Sequence, residues 1–205
     1  MTEIAFSLPA WVPAFVQAAF GQAAGVPATV EDRMRLVIAA AWRNVEAGTG
    51  GPFAAAVFER DSGRLVALGV NLVTTQGLSL LHAEMVALAA AQRALGRWDL
   101  GGAGLPAHEL VTSTEPCAMC FGAIPWSGVR RVVAGATDSD ARAIGFDEGP
   151  KPADWRRALE GRGIAVLSEV LRDEACAVLQ AYARRGGAIY NGGGDSSSDR
   201  PRGRG

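Results

Sequence analysis

Lysine is almost missing from this chain: across 205 residues, Lys151 is the only one. Lys+Arg 20 against Asp+Glu 21 leaves a formal charge of −1, and no dense basic run occurs, so nucleic acid is not the expected partner. Cysteine is scarce too. Three cysteines do not make the disulfide framework of a small secreted protein, and they favour a reducing, cytoplasmic setting. No apolar run is long enough to span a bilayer. The N-terminal stretch carries Glu3 and is broken by Pro9 and Pro13, which fits neither a signal peptide nor a membrane anchor. Internal repeats are absent.

What remains is a chain of 49% hydrophobic composition, enough for one substantial core. Trp11, Val12, Phe15, Val16 and Phe20 suggest an N-terminal arm over residues 1–29, packed on the body or on a second subunit. The Gly/Ser/Arg-rich segment 191–205 cannot bury a core and is expected to be a mobile tail. Between them, residues 30–190 read as one domain. Arg33, Leu36, Val37, Ala40, Ala41 and Asn44 follow helical spacing after Thr29, predicting a helix over 30–47. Strands are predicted over 53–58, 65–70, 110–113, 131–134 and 164–170, with further helices over 82–94, 117–126, 153–159 and 173–184. The pattern predicts an α/β fold, three layers α/β/α around a mixed five-stranded sheet.

Two short motifs carry the chemistry. His82-Ala83-Glu84 is followed about thirty residues later by Pro116-Cys117-Ala118-Met119-Cys120. One imidazole and two thiolates supply three zinc ligands, leaving the fourth tetrahedral corner for water. Zinc lowers the pKa of such a water toward about 7. Glu84, two residues past the imidazole, is placed to move protons, and the whole is the H-x-E…P-C-x-x-C pattern of zinc-dependent base deaminases. Both motifs fall at predicted helix starts, where free N–H groups favour thiolate over thiol. A structural zinc would need a fourth protein ligand. Cys176 lies on a helical apolar stripe and reads as a small buried hydrophobe instead. A lone Cys-x-x-Cys would also suit a redox pair, but not one accompanied by His-x-Glu. His108 reads as a solvated or locally bonded side chain rather than a ligand. The glycines before Phe53 lack the Gly-Lys-Ser/Thr of a phosphate loop and read as a turn bringing Pro52-Phe53 toward the site.

Gly51-Pro52-Phe53, Asn71, His82-Ala83-Glu84, the stretch Thr112 to Cys120 and Gly145-Phe146-Asp147-Glu148-Gly149 occur in the order found in the cytidine deaminase-like superfamily. Within it the chain resembles the bacterial guanine deaminases, over roughly residues 30–190. The resemblance implies Zn2+ on His82, Cys117 and Cys120, with Glu84 as general acid/base. It implies Glu148 as a second catalytic carboxylate at the leaving amine. It further implies substrate contacts from Phe53, Asn71, Ala83, Trp126 and Tyr190, and a C-terminal segment that closes over the pocket. Tyr190 reads equally well as an anchor for the last helix. The expected reaction is hydrolysis of guanine to xanthine and ammonia in purine catabolism, by a homodimer. Three alternatives stand beside it: the triazine ammeline as substrate, a tRNA adenosine deaminase, and a cytosine or cytidine deaminase. A noncatalytic scaffold with structural zinc would have no use for Glu84.

Overall fold

The computed structural model describes residues 5–20 and 27–192. In chain order the elements are α1 (Trp11–Phe20), α2 (Val30–Glu46), β1 (Ala54–Glu59), β2 (Leu65–Val70), α3 (Val73–Gln76), α4 (Ala83–Leu95), β3 (His108–Thr114), α5 (Ala118–Ser127), β4 (Arg131–Ala136), α6 (Asp138–Ala143), α7 (Trp155–Glu160), β5 (Ala165–Leu167) and α8 (Arg172–Arg184). The strands form one mixed sheet in the order β2-β1-β3-β4-β5, with β1 antiparallel to both β2 and β3, and β3, β4 and β5 parallel.

Period-two alternation splits the sheet between two cores. Ala54, Ala56, Phe58, Val111 and Val133 face the layer of α2 and α8. Ala55, Val57, Leu110 and Val132 face the layer of α4 and α7. The expected three-layer α/β/α arrangement is what these two cores make. α2 starts at a capping box, Asp32 N–H donating to Thr29 Oγ1 at 3.1 Å, and buries Met34, Val37, Ile38 and Ala41 along one stripe. At the far end of the sheet fully buried Glu109 is held between Arg33 and Arg131, which keeps the carboxylate paired.

Several expectations change. The N-terminal arm contains a helix, α1, that packs on the core of its own chain and is tied down by Trp11 Nε1 donating to Thr49 Oγ1 at 3.0 Å. The fifth strand covers Ala165–Leu167 rather than 164–170, because Glu169 and Leu171 adopt left-handed backbone conformations (φ 62° and 52°) that a strand cannot continue through. α6 was not predicted, although Thr137 and Asp140 form a second capping box. Of the tail expected over 191–205, Asn191 is bonded to the body, and residues 193–205 lie outside those described. No helix among the described residues is long and apolar enough to cross a membrane.

One glycine decides how closely α4 sits on the sheet. A Cβ on Gly69 in β2 would lie 2.4 Å from Ala87 N and 2.5 Å from Ala83 O, inside the backbone of α4's first two turns. Gly69→Ala must therefore lift the helix start that carries His82 and Glu84. We expect a loss of about 2 kcal/mol in chemical denaturation, accompanied by weakened zinc retention. Wild-type stability in this variant would show that the contact is not tight.

Candidate active site

β3 ends at Thr114, and Glu115-Pro116 leads straight into α5, with Cys117 as its N-cap residue; His82 is the N-cap residue of α4. Both caps have extended backbone (φ −66°, ψ 154° and φ −64°, ψ 175°), so each side chain is presented ahead of its helix. Cys120 follows one turn later and is fully buried. His82 Nδ1 lies 3.5 Å from Cys117 Sγ and 3.7 Å from Cys120 Sγ, and the three ligand atoms lie within 4.8 Å of one another. Tetrahedral zinc with ordinary Zn–N and Zn–S bonds would hold nitrogen and sulfur about 3.6 Å apart, so these residues fit Zn2+ as they stand. Cys176 is on α8 and does not belong to the cluster, which leaves three protein ligands among the described residues.

The electrostatics suit a cation. The Cys117 thiol is held down at about 4 by the hydrogen bond from the Cys120 thiol and, behind it, by His82. The same bond and burial push the Cys120 thiol well up, so the pair shares one proton that a metal would displace. Burial, reinforced by the Cys117 thiolate, raises the Glu84 carboxyl. Glu148 is pushed up to about 8, first by burial, then by Cys117, Asp138 and Glu84, with Lys151 opposing. Two carboxyls with raised proton affinity beside a metal cluster are candidates for carrying protons.

Beside the cluster lies a cavity of about 290 Å³. Phe53, Asn71, His82, Ala83, Glu84, Cys117, Glu148 and Tyr190 all line it, so the structure brings most of the sequence-predicted residues together. Asn71 is fully buried. Its Oδ1 accepts from Val73 N–H at 3.2 Å, while its Nδ2 has no partner, so a hydrogen-bond donor is left for a ligand. The Tyr190 hydroxyl is likewise buried and unpartnered. Phe53 and Tyr190 meet the same ring, Phe146, edge-on at 4.9 and 5.0 Å, forming an aromatic wall. Tyr190 can seat there because Gly51 has no side chain: a Cβ would lie 2.0 Å from the tyrosine oxygen.

Trp126 does not join them. It is 82% exposed near the C-terminal end of α5 and does not line the cavity. The helix's rise carries it about 13 Å along the axis from the Cys117 end. His108 is not solvated: it is fully buried, with Nδ1 2.7 Å from Leu100 O, and it is no ligand. Glu148, which would read as a loop acid without the resemblance, is 6% exposed, and its backbone carbonyl accepts from Ala118 N–H at 2.9 Å. Sequence reasoning missed three supports. Asn44 Nδ2 donates to both Gly51 O and Asn71 O at 2.9 Å, fixing two pocket segments from α2. Phe146 forms the wall. Asn191 accepts from Asp147 N–H and donates to Gly145 O, clipping the C-terminal segment to the Glu148 loop. A polar residue on the buried stripe of α2 was the available signal for Asn44; nothing local marked Asn191.

Comparison with known proteins agrees with this geometry. Residues 27–136 match the family model described as the cytidine and deoxycytidylate deaminase zinc-binding region. A solved guanine deaminase from Nitrosomonas europaea is 50% identical, with a TM-score of 0.82 over 89% of this chain and 97% of that one. Guanine deaminase of Bacillus subtilis is 36% identical over 62% of this chain and 80% of its own length. The tRNA-specific adenosine deaminase of the same organism is 35% identical over 60% of this chain and 71% of its own. With its ligand triad, buried acid and sheet order all in place, the chain belongs to the cytidine and deoxycytidylate deaminase zinc-binding family, and is a zinc-dependent aminohydrolase.

Proposed function

We propose that this protein hydrolyses guanine to xanthine and ammonia, using one Zn2+ held by His82, Cys117 and Cys120. The observation that carries the reading is the pair of buried carboxylates, Glu84 and Glu148, lining one cavity beside the metal cluster. Similarity to two guanine deaminases, one at 50% identity across nearly the whole chain, supports the choice of base. Zn2+ bound there supplies a Lewis acid that makes water nucleophilic near neutral pH.

The chain's own groups divide the remaining work. Asn71 Nδ2 donates to an acceptor on the purine edge, and Phe53, Ala83 and Tyr190 confine the ring. Glu84 takes the proton of the water whose oxygen bonds to C2 and delivers it to the ring nitrogen. As the C2–N bond breaks, Glu148 protonates the departing amine, which leaves as ammonia, while Glu84 takes the proton of the C2 hydroxyl to leave xanthine's carbonyl; that proton returns to Glu148 through solvent and restores both acids. One acid serving both faces of the ring would have to travel between them; two fixed acids need not. The active unit is the domain over residues 30–190, in the cytoplasm and in purine catabolism, and a thiolate site of this kind suits a reducing compartment.

The cavity's small volume and its cover by Tyr190 favour a free base over a nucleoside or a tRNA nucleotide. Ammeline, which presents a similar amidine edge, stands beside guanine as a second candidate substrate. We also infer a homodimer. α5 carries no charged residue, its Trp126 lies exposed, and so does Trp98, whose loop is tied to α5 by Leu100 N–H donating to Ser127 O at 2.8 Å.

Ammonia release by the zinc-loaded protein should be fast on guanine, with or without ammeline, and absent on guanosine, adenine, cytosine and cytidine. Equal turnover of cytosine, or silence on every free base at full zinc content, would overturn the assignment. Trp126→Arg should convert a dimer to a monomer in sedimentation equilibrium. An unchanged dimer would move the interface elsewhere.

A further inference from the structure

The sole lysine sits where a cation is costly. The Lys151 side chain is 4% exposed, and burying an ammonium costs several kcal/mol unless it is fully partnered. Its Nζ donates to Pro116 O at 2.9 Å and to Asp138 Oδ1 at 2.6 Å, stands 3.9 Å from Glu115 Oε2, and lies 4.9 Å from the centre of the Trp155 ring. The partners are themselves joined. Asp138 N–H donates to Glu115 Oε2 at 3.2 Å, and Arg156 Nη2 donates to Glu115 Oε1 at 2.6 Å. Arg142 Nε adds a contact to Asp138 Oδ2 at 3.3 Å, so two carboxylates and three cations close a cluster beside the site.

What that cluster connects gives it meaning. Pro116 directly precedes the metal ligand Cys117, Asp138 opens α6, and Lys151 follows Glu148 by three residues. From the front, Glu148's carbonyl is pinned by Ala118 N–H; from behind, Lys151 pins the same loop to the same turn. We propose that Lys151 is a positioning residue, setting the reach of the Glu148 carboxylate toward the reacting centre by fastening its loop to the turn that carries Cys117. The proposal rests on the guanine deaminase reading for what Glu148 does there. A compact ammonium with three divergent donors satisfies a carbonyl, a carboxylate and a ring face in a small space. The planar guanidinium fork does not, although arginine supplies every other permanent side-chain cation of the chain. Stability alone gives no reason for the charge, since buried ion clusters are often matched or bettered by packed apolar residues.

The experiment compares Lys151→Met with wild type in guanine turnover, zinc content and KM. Asn71, Phe53 and Tyr190 hold the base from other elements, so binding should survive while chemistry suffers. We expect full zinc, KM within about threefold, and kcat lower by about 100-fold, the scale of loss for roughly 1 Å of misplacement. Lys151→Arg should not restore wild-type kcat. A kcat near wild type in Lys151→Met, or a loss that follows missing zinc, would overturn the proposal. Should Lys151→Met fail to fold, Asp138→Asn keeps the ammonium but removes its 2.6 Å anchor, and must show the same fall in kcat with KM and zinc kept. The anchoring is also readable without substrate. Full-length protein labelled with 15N-lysine should give one slowly exchanging side-chain ammonium signal, lost in Asp138→Asn. A fast-exchanging signal in wild type would refute the anchoring whatever the substrate. Inactivity of wild type on guanine, with the slow signal present, would instead fault the guanine reading.

Discussion

Two helix starts meeting at one end of the sheet's strands are the constraint on which the site depends. α4 and α5 each begin with an extended cap residue, His82 and Cys117, and their meeting sets nitrogen and sulfur 3.5 and 3.7 Å apart. Neither motif makes a metal site alone. The distance between them is fixed by packing: Gly69 lets α4 lie against β2, and β3 delivers the Pro116 turn at the same end of the sheet. The ligands are therefore carried by rigid elements, which is what a preorganised metal centre requires.

Around that centre, burial does the electrostatic tuning. Glu84 and Glu148 are buried beside thiolate charge, and both carboxyls gain proton affinity from burial first and from that charge second. Their supports come from separate parts of the chain: the first turn of α4 for Glu84, and a loop fastened by Ala118, Lys151 and Asn191 for Glu148. The cavity's unpartnered donors, Asn71 Nδ2 and the Tyr190 hydroxyl, are the groups a bound base would satisfy.

The metal ligands were legible because each motif is local, with spacing that reports directly which side chains share a helix turn. The strands flanking them were legible from their apolar runs. Trp126, a contact that only the resemblance implied, stands exposed at the far end of α5 and lines no part of the cavity within its own chain. β5 is shorter than the apolar stretch 164–170 implies because Glu169 and Leu171 take left-handed conformations that no glycine announces. The burial of Glu148 cannot be seen in a Gly-flanked acidic stretch, which reads locally as a solvated loop. It comes from long-range contacts, with α5, with the C-terminal segment and with the cluster around Lys151. Lys151 was visible only as a rarity, and its partners are brought to it by the fold.

Everything proposed for the chemistry turns on Glu84 as the proton carrier of a site whose metal it does not hold. Glu84→Gln tests it most directly, with zinc content, guanine binding and ammonia release measured on one preparation. Full zinc and preserved binding are expected, with turnover reduced by about 10³-fold. Full zinc with turnover close to wild type would contradict it.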